Sequence, residues 1–118
     1  VPAARTPRHV GLQFYIFDGA TYFASPDAGP ALWDGSWHFA AGTYDGTTVR
    51  LYVDGVEVGD GVIADSPITY GLGTSDELWI GAYAGCSLGW DGDIDDVRVW
   101  DRALSADEIA EHAESCAP

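Results

Sequence analysis

From His9 onward the chain alternates short runs of β-branched and aromatic residues with clusters of Gly, Asp and Pro, the spacing of an all-β sandwich or barrel. The clearest unit is Trp37 to Val58, WHFAAGTYDGTTVRLYVDGVEV, where Asp45-Gly46 and Asp54-Gly55 divide three strand-like runs. Gly accepts positive φ and Asp tolerates it, so both dipeptides predict tight hairpins. In the middle run Val49, Leu51 and Val53 alternate with Arg50, Tyr52 and Asp54. One face is therefore apolar, and the other is turned to water or to a second layer.

Further strands are predicted at Gly11 to Phe17, Thr21 to Ala24, Leu78 to Tyr83 and Asp93 to Trp100, with an irregular loop around Ser66 to Thr74. In the last strand Asp95, Val97 and Val99 share one face, which turns Asp95 inward, where it needs a partner. No helix is expected before residue 104. After it, Ser105 and Glu108 have the spacing of a capping box, which predicts one short helix ending near Cys116. Residues 1–8, with two prolines and two arginines, read as an N-terminal arm or linker, and 9–118 as one domain.

Charge narrows the function classes. Nineteen acidic residues against five arginines and no lysine give a formal net charge of −14. That field repels phosphate backbones, and Arg5, Arg8, Arg50, Arg98 and Arg102 are scattered, so nucleic-acid binding is set aside. No window reaches the run of about 18 apolar residues that a membrane span needs. Val1 stands first, as in a processed or cut chain, and Cys86 and Cys116 are an even count suited to one disulfide. A bridge between them would close about 30 residues and contribute roughly 3 to 4 kcal/mol in the loop-entropy treatment. Secretion is the expected destination.

Three segments together resemble the laminin-G-like, concanavalin A-like lectin/glucanase superfamily: DGSWHFAAGTYDGTTVRLYVDGVEV (Asp34 to Val58), ELWIGAY (Glu77 to Tyr83) and WDGDIDDVRVWDRALSADEI (Trp90 to Ile109). The resemblance implies an antiparallel two-sheet β-sandwich (jelly roll) with a short C-terminal helix, often holding calcium and more often a binder than a catalyst. Domains of this look usually carry further strands before the segment at Gly11, so the chain reads as the C-terminal two-thirds of one. A second polypeptide, a symmetric copy or a swapped segment is then expected to complete the sandwich, with a naturally shortened, self-closing sandwich as the alternative.

The run Asp91-Gly92-Asp93-Ile94-Asp95-Asp96 is the densest carboxylate cluster. It fails as an EF-hand, since the sixth position is Asp96 rather than Gly and the twelfth is Arg102 rather than Glu. Asp93 and Asp95 on one strand face would lie about 7 Å apart, within the range glycosidases use, but no acid/base pair with separable roles accompanies them. The expected role is structural, with Asp93 and Asp95 as candidate calcium ligands. The double-calcium site of the pentraxin variant is absent, because Ala82 to Gly89 contain no carboxylate.

Sugar rings stack on exposed aromatic faces, and loop aromatics are where such faces are found. Trp33 and Trp90 are the candidate ligand-binding residues, with Tyr22 and Tyr83 as companions. Trp37, Phe39, Trp79 and Trp100 are expected in the core. His38 is expected to make a structural hydrogen bond, and no nucleophilic triad can be assembled around it. The function expected is a non-catalytic, extracellular carbohydrate-binding module. The alternative is an adhesion or assembly protein whose sandwich another chain completes.

Overall fold

The computed structural model describes residues 11–69, 78, 80–83 and 88–115 of the 118-residue chain. Among these residues eight strands run in order: β1 (Tyr15–Phe17), β2 (Tyr22–Ala24), β3 (Ala40–Tyr44), β4 (Thr48–Val53), β5 (Val56–Glu57), β6 (Val62–Ile63), β7 (Ala82–Tyr83) and β8 (Leu88–Gly89). Helix α1 (Ala106–Ser115) follows. All pairings are antiparallel, and β4 is the centre of the four-stranded sheet, with β3 on one edge and β5 and β6 along the other.

The two Asp-Gly turns close this sheet as their chemistry predicts. Asp45 Oδ1 accepts the Thr47 and Thr48 N–H groups at 2.9 Å and the Thr47 hydroxyl at 2.8 Å, while Gly46 takes φ +98°. At the second turn Asp54 and Gly55 both have positive φ, +52° and +85°, the backbone of a type I′ hairpin. These turns set the register Gly42↔Leu51 and Ala41↔Tyr52, which separates the faces.

Val49 and Leu51 are buried on one face, beneath the β1–β2 hairpin. Phe14, just before β1, lies over Gly42, where an added Cβ would meet its ring at 2.1 Å. Ile16 is buried with this layer, and the buried Ser25 ties it by accepting the Phe14 N–H at 3.0 Å. On the opposite face Tyr52 packs with Leu104 and Ile109, bordered by Phe39 and Ala41. The mixed face of β4 is therefore covered by the helix, a second layer rather than water. Burying Leu51 or Ile109 contributes about 1.5–3 kcal/mol each in transfer free energy.

The capping box is formed: Glu108 N–H donates to Ser105 Oγ at 3.2 Å, and Ser105 N–H donates to Glu108 Oε1 at 2.9 Å. Arg102 adds a bidentate pair to Glu108 at 2.8 and 2.6 Å, and these bonds, Arg102 first, hold the Glu108 carboxyl down at about 2.

Three details depart from expectation. A 3₁₀ turn at Pro30–Leu32 precedes residue 104, and the short strands β6 and β8 arise where none were expected. The third departure is larger. Asp93 to Trp100 forms no ladder with the described residues, and all eight of its residues are exposed. Asp96 takes φ +56°, a left-handed conformation that interrupts the pleat midway. Asp95 is thus at the surface rather than inward, with its Oδ1 accepting the Asp96 N–H at 2.8 Å.

Candidate functional site

The loop holding Trp33 is shaped by short-range bonds. Pro30 starts the 3₁₀ turn with its φ already set and no N–H to satisfy, and Trp33 N–H closes it on the Pro30 carbonyl at 3.1 Å. Asp34 then accepts the Ser36 N–H at 2.9 Å across Gly35. Trp90 is anchored separately, its N–H donating to the Gly81 carbonyl at 2.8 Å beside the β7–β8 hairpin.

These two anchors bring the candidate tryptophans together. Their ring centroids lie 5.7 Å apart at an interplanar angle of 66°, and both indoles stay exposed, Trp33 at 51% and Trp90 at 43%. Buried edge-to-face pairs fill cores; a pair this open leaves ring faces to a ligand. Asp34 and Asp91 follow the two tryptophans in sequence.

Tyr22 lies in a second aromatic cluster on the outer face of the β1–β2 hairpin. It stacks on Phe17 at 4.5 Å and meets Tyr15 edge-on at 5.6 Å. Tyr15 and Phe17 were not among the expected ligand residues, though their two-residue spacing opposite Tyr22 puts all three on one strand face. Tyr83 is in β7, paired with Leu88. Trp79, Cys86 and Cys116 lie outside the described residues, and with them the expected bridge.

Trp37 and Trp100 are not core residues. Trp37 is 55% exposed, and Trp100 is 48% exposed with its ring 5.2 Å from the His112 ring. Phe39 does border the core. Sequence position placed all of them in strands; Trp37 falls just before the ladder begins, and Trp100 ends the stretch that forms no ladder with the described residues.

Among the described residues no three His, Cys, Asp or Glu side chains converge as a metal-holding group. Asp93 and Asp95 stand exposed, without a third such ligand among those residues, and no chemistry is routed through a metal here.

His38 sits between two carboxylates. Its Nε2 is 2.8 Å from Asp34 Oδ1 and its Nδ1 is 2.7 Å from Asp54 Oδ2. The bond to Asp54, then that to Asp34, raises the imidazole above its ordinary value, so the ring carries charge more readily than a free histidine. The same bond, with the Ser36 N–H, holds the Asp34 carboxyl low. Burial pushes the Asp54 carboxyl up, but His38 and the Phe39 N–H outweigh it and the net shift is downward. Spacings of four and sixteen residues give no sequence signal for this bridge.

No described helix is long and apolar enough to cross a membrane. Among curated proteins no relative matches the chain. Among solved structures, it is similar to the 2.1 Å crystal structure of an S-layer domain-containing protein (residues 221–444) from Clostridium thermocellum, with 26% identity and a TM-score of 0.59. The alignment covers 96% of this chain and 68% of that one. The sequence model of the laminin-G-like family matches residues 4–110, and the chain belongs to that family, described as the concanavalin A-like lectin/glucanases superfamily.

Proposed function

We propose that this chain is a carbohydrate-binding module of a secreted or cell-surface protein, and that Trp33 and Trp90 form its sugar platform. The observation that carries this reading is the open indole pair, 5.7 Å between centroids, with Asp34 and Asp91 next to the two tryptophans in sequence. Indole faces cover the C–H faces of a pyranose, and carboxylates accept its hydroxyl protons. A net charge of −14 disfavours sulfated or uronic saccharides, so the ligand class is a neutral glycan. Superfamily membership supports binding, and the description of that superfamily names lectins and glucanases alike. No acid/base pair with separable roles accompanies the platform, and binding without hydrolysis is the reading.

An array of neutral and sulfated oligosaccharides, run with and without calcium, tests it. Binding to neutral members should fall at least about tenfold in a Trp33→Ala, Trp90→Ala variant. Binding no stronger than that of the double variant counts against the platform.

A second reading, assembly through pairing with another polypeptide, has its own observation. The unladdered stretch Asp93 to Trp100 exposes Ile94 at 44%, Val97 at 51% and Val99 at 79%. Exposed backbone with apolar side chains and no ladder of its own can take up a partner strand. The S-layer context of the similar structure supports it. Light scattering across a concentration series tests it, and a monomer at every concentration would remove it.

A further inference from the structure

The two carboxylates that grip His38 belong to different parts of the molecule. Asp54 is in the β4–β5 turn and is locked to the sheet: its N–H donates to the Phe39 carbonyl at 2.8 Å, and its Oδ1 accepts the Phe39 N–H at 3.0 Å. That turn also rests on α1, where a Cβ at Gly55 would meet the Ala113 Cβ at 3.2 Å. Asp34, by contrast, is in the loop that carries Trp33, and it also accepts the Ser36 N–H within that loop. His38 is therefore a strut from the sheet to the loop behind one wall of the sugar platform.

An imidazole can donate to two carboxylates only when both ring nitrogens carry protons. Neutral, it has one N–H, and its other nitrogen turns a lone pair toward a carboxylate. Asp54, fixed by the Phe39 backbone on both sides, keeps the remaining proton at Nδ1. Asp34 loses its donor at Nε2. Among the described residues, the ion pairs of Asp34 and Asp54 are those with His38.

We infer that His38 is a positioning residue for the sugar platform: charged, it latches the Trp33 loop to the β4–β5 turn through Asp34 and Asp54, and discharged, it releases Asp34 and loosens Trp33 from Trp90. This rests on the glycan reading for its function, but the latch itself is a property of the free protein. The direction of the switch follows from the sign of the groups. Surroundings more acidic than the folded imidazole's own value hold the platform, and more alkaline ones open it. The bridge raises the imidazole above its ordinary 6.5, which moves the release of the latch to higher pH.

The test follows two NMR signals of the free chain through a pH titration: the His38 ring C–H and the Trp33 indole N–H, the latter assigned with a Trp33→Phe variant. Both should titrate with one midpoint above 6.5. In Asp34→Asn the His38 midpoint should fall and the Trp33 signal should stop following it. A Trp33 signal that stays flat while His38 titrates, or that follows it equally in Asp34→Asn, overturns the latch. Binding of cellohexaose, xylohexaose and chitohexaose at about pH 6 and about pH 8.5 gives the functional arm. Whichever binds should weaken about three- to tenfold at the higher pH, the loss of one hydrogen bond, and should do so less in His38→Gln. Affinity that is constant across a completed His38 titration overturns the gate. Absence of all binding at both pH values overturns the glycan reading instead, with the NMR titration still deciding the latch.

Discussion

Strand β4 and the stretch Asp93 to Trp100 are written in much the same alphabet, apolar residues spaced two apart among polar ones, yet they end in opposite environments. In β4, Val49, Leu51 and Tyr52 are 0 to 4% exposed; in the later stretch, Val97 and Val99 are 51% and 79% exposed. The difference lies in what closes around them. β4 is flanked by two Asp-Gly turns, so its partners arrive within a few residues and its two faces receive the β1–β2 hairpin and α1. The Asp91-Gly92 dipeptide before Asp93 to Trp100 closes no hairpin onto that stretch among the described residues, and Asp96 at φ +56° breaks its pleat. Alternation marks a segment as able to bury one side, and a neighbour decides whether it does.

This contrast can be broken most directly by truncation at matched positions. Leu51→Ala should cost about 3 kcal/mol, because it removes a buried side chain and leaves a cavity between β1–β2 and the sheet. Val99→Ala should change stability by less than about 0.5 kcal/mol in the isolated chain. Urea denaturation of both variants checks this. A cost at Val99 close to that at Leu51 would mean that a neighbour covers the later stretch in solution.

At the helix the same logic gives intermediate effects. Ile109→Ala should cost about 2 to 3 kcal/mol by opening the cluster with Tyr52 and Leu104. Ser105→Ala should cost about 1 kcal/mol, since it removes one half of the capping box but leaves the apolar face of α1 intact. Thermal melts followed by circular dichroism at 222 nm, a helix-weighted signal, order the two. Equal losses would show that the cap, rather than the packed face, holds the helix.

The legible parts of this molecule are those whose determinants are local. The meander Ala40–Glu57 follows from two dipeptides and a period of two, and α1 from Ser105 and Glu108 three residues apart. Trp33 and Trp90 can be picked out one by one as loop aromatics, but nothing in a single sequence pairs residues 57 positions apart. His38 bridges two carboxylates whose convergence depends on the register Ala40↔Val53, and that register exists only after folding. Trp37 and Trp100 illustrate the opposite error, since large apolar side chains near strands are usually buried and these two are not.

The smallest expected effects separate the two regions by pH. Asp45, in the first turn of the meander, has its carboxyl lowered from 3.8 to about 2 by the N–H groups of Thr48 and Thr47 and by the Thr47 hydroxyl. A depressed carboxyl contributes stability that is complete above its ordinary value and is lost as pH falls through about 2. Asp45→Asn should therefore flatten that part of the acid limb. His38 has the opposite sign: its raised imidazole contributes stability that is complete below 6.5 and is lost as pH rises through the folded value. The alkaline loss should be small, because Asp34 and Asp54 are each about half exposed and solvent screens them. Urea midpoints measured at intervals from acid to about pH 9 should thus show a shallow decline as pH rises past 6.5 in the parent chain and no such decline in His38→Gln. If the decline persisted unchanged without the imidazole, the latch would contribute nothing to stability.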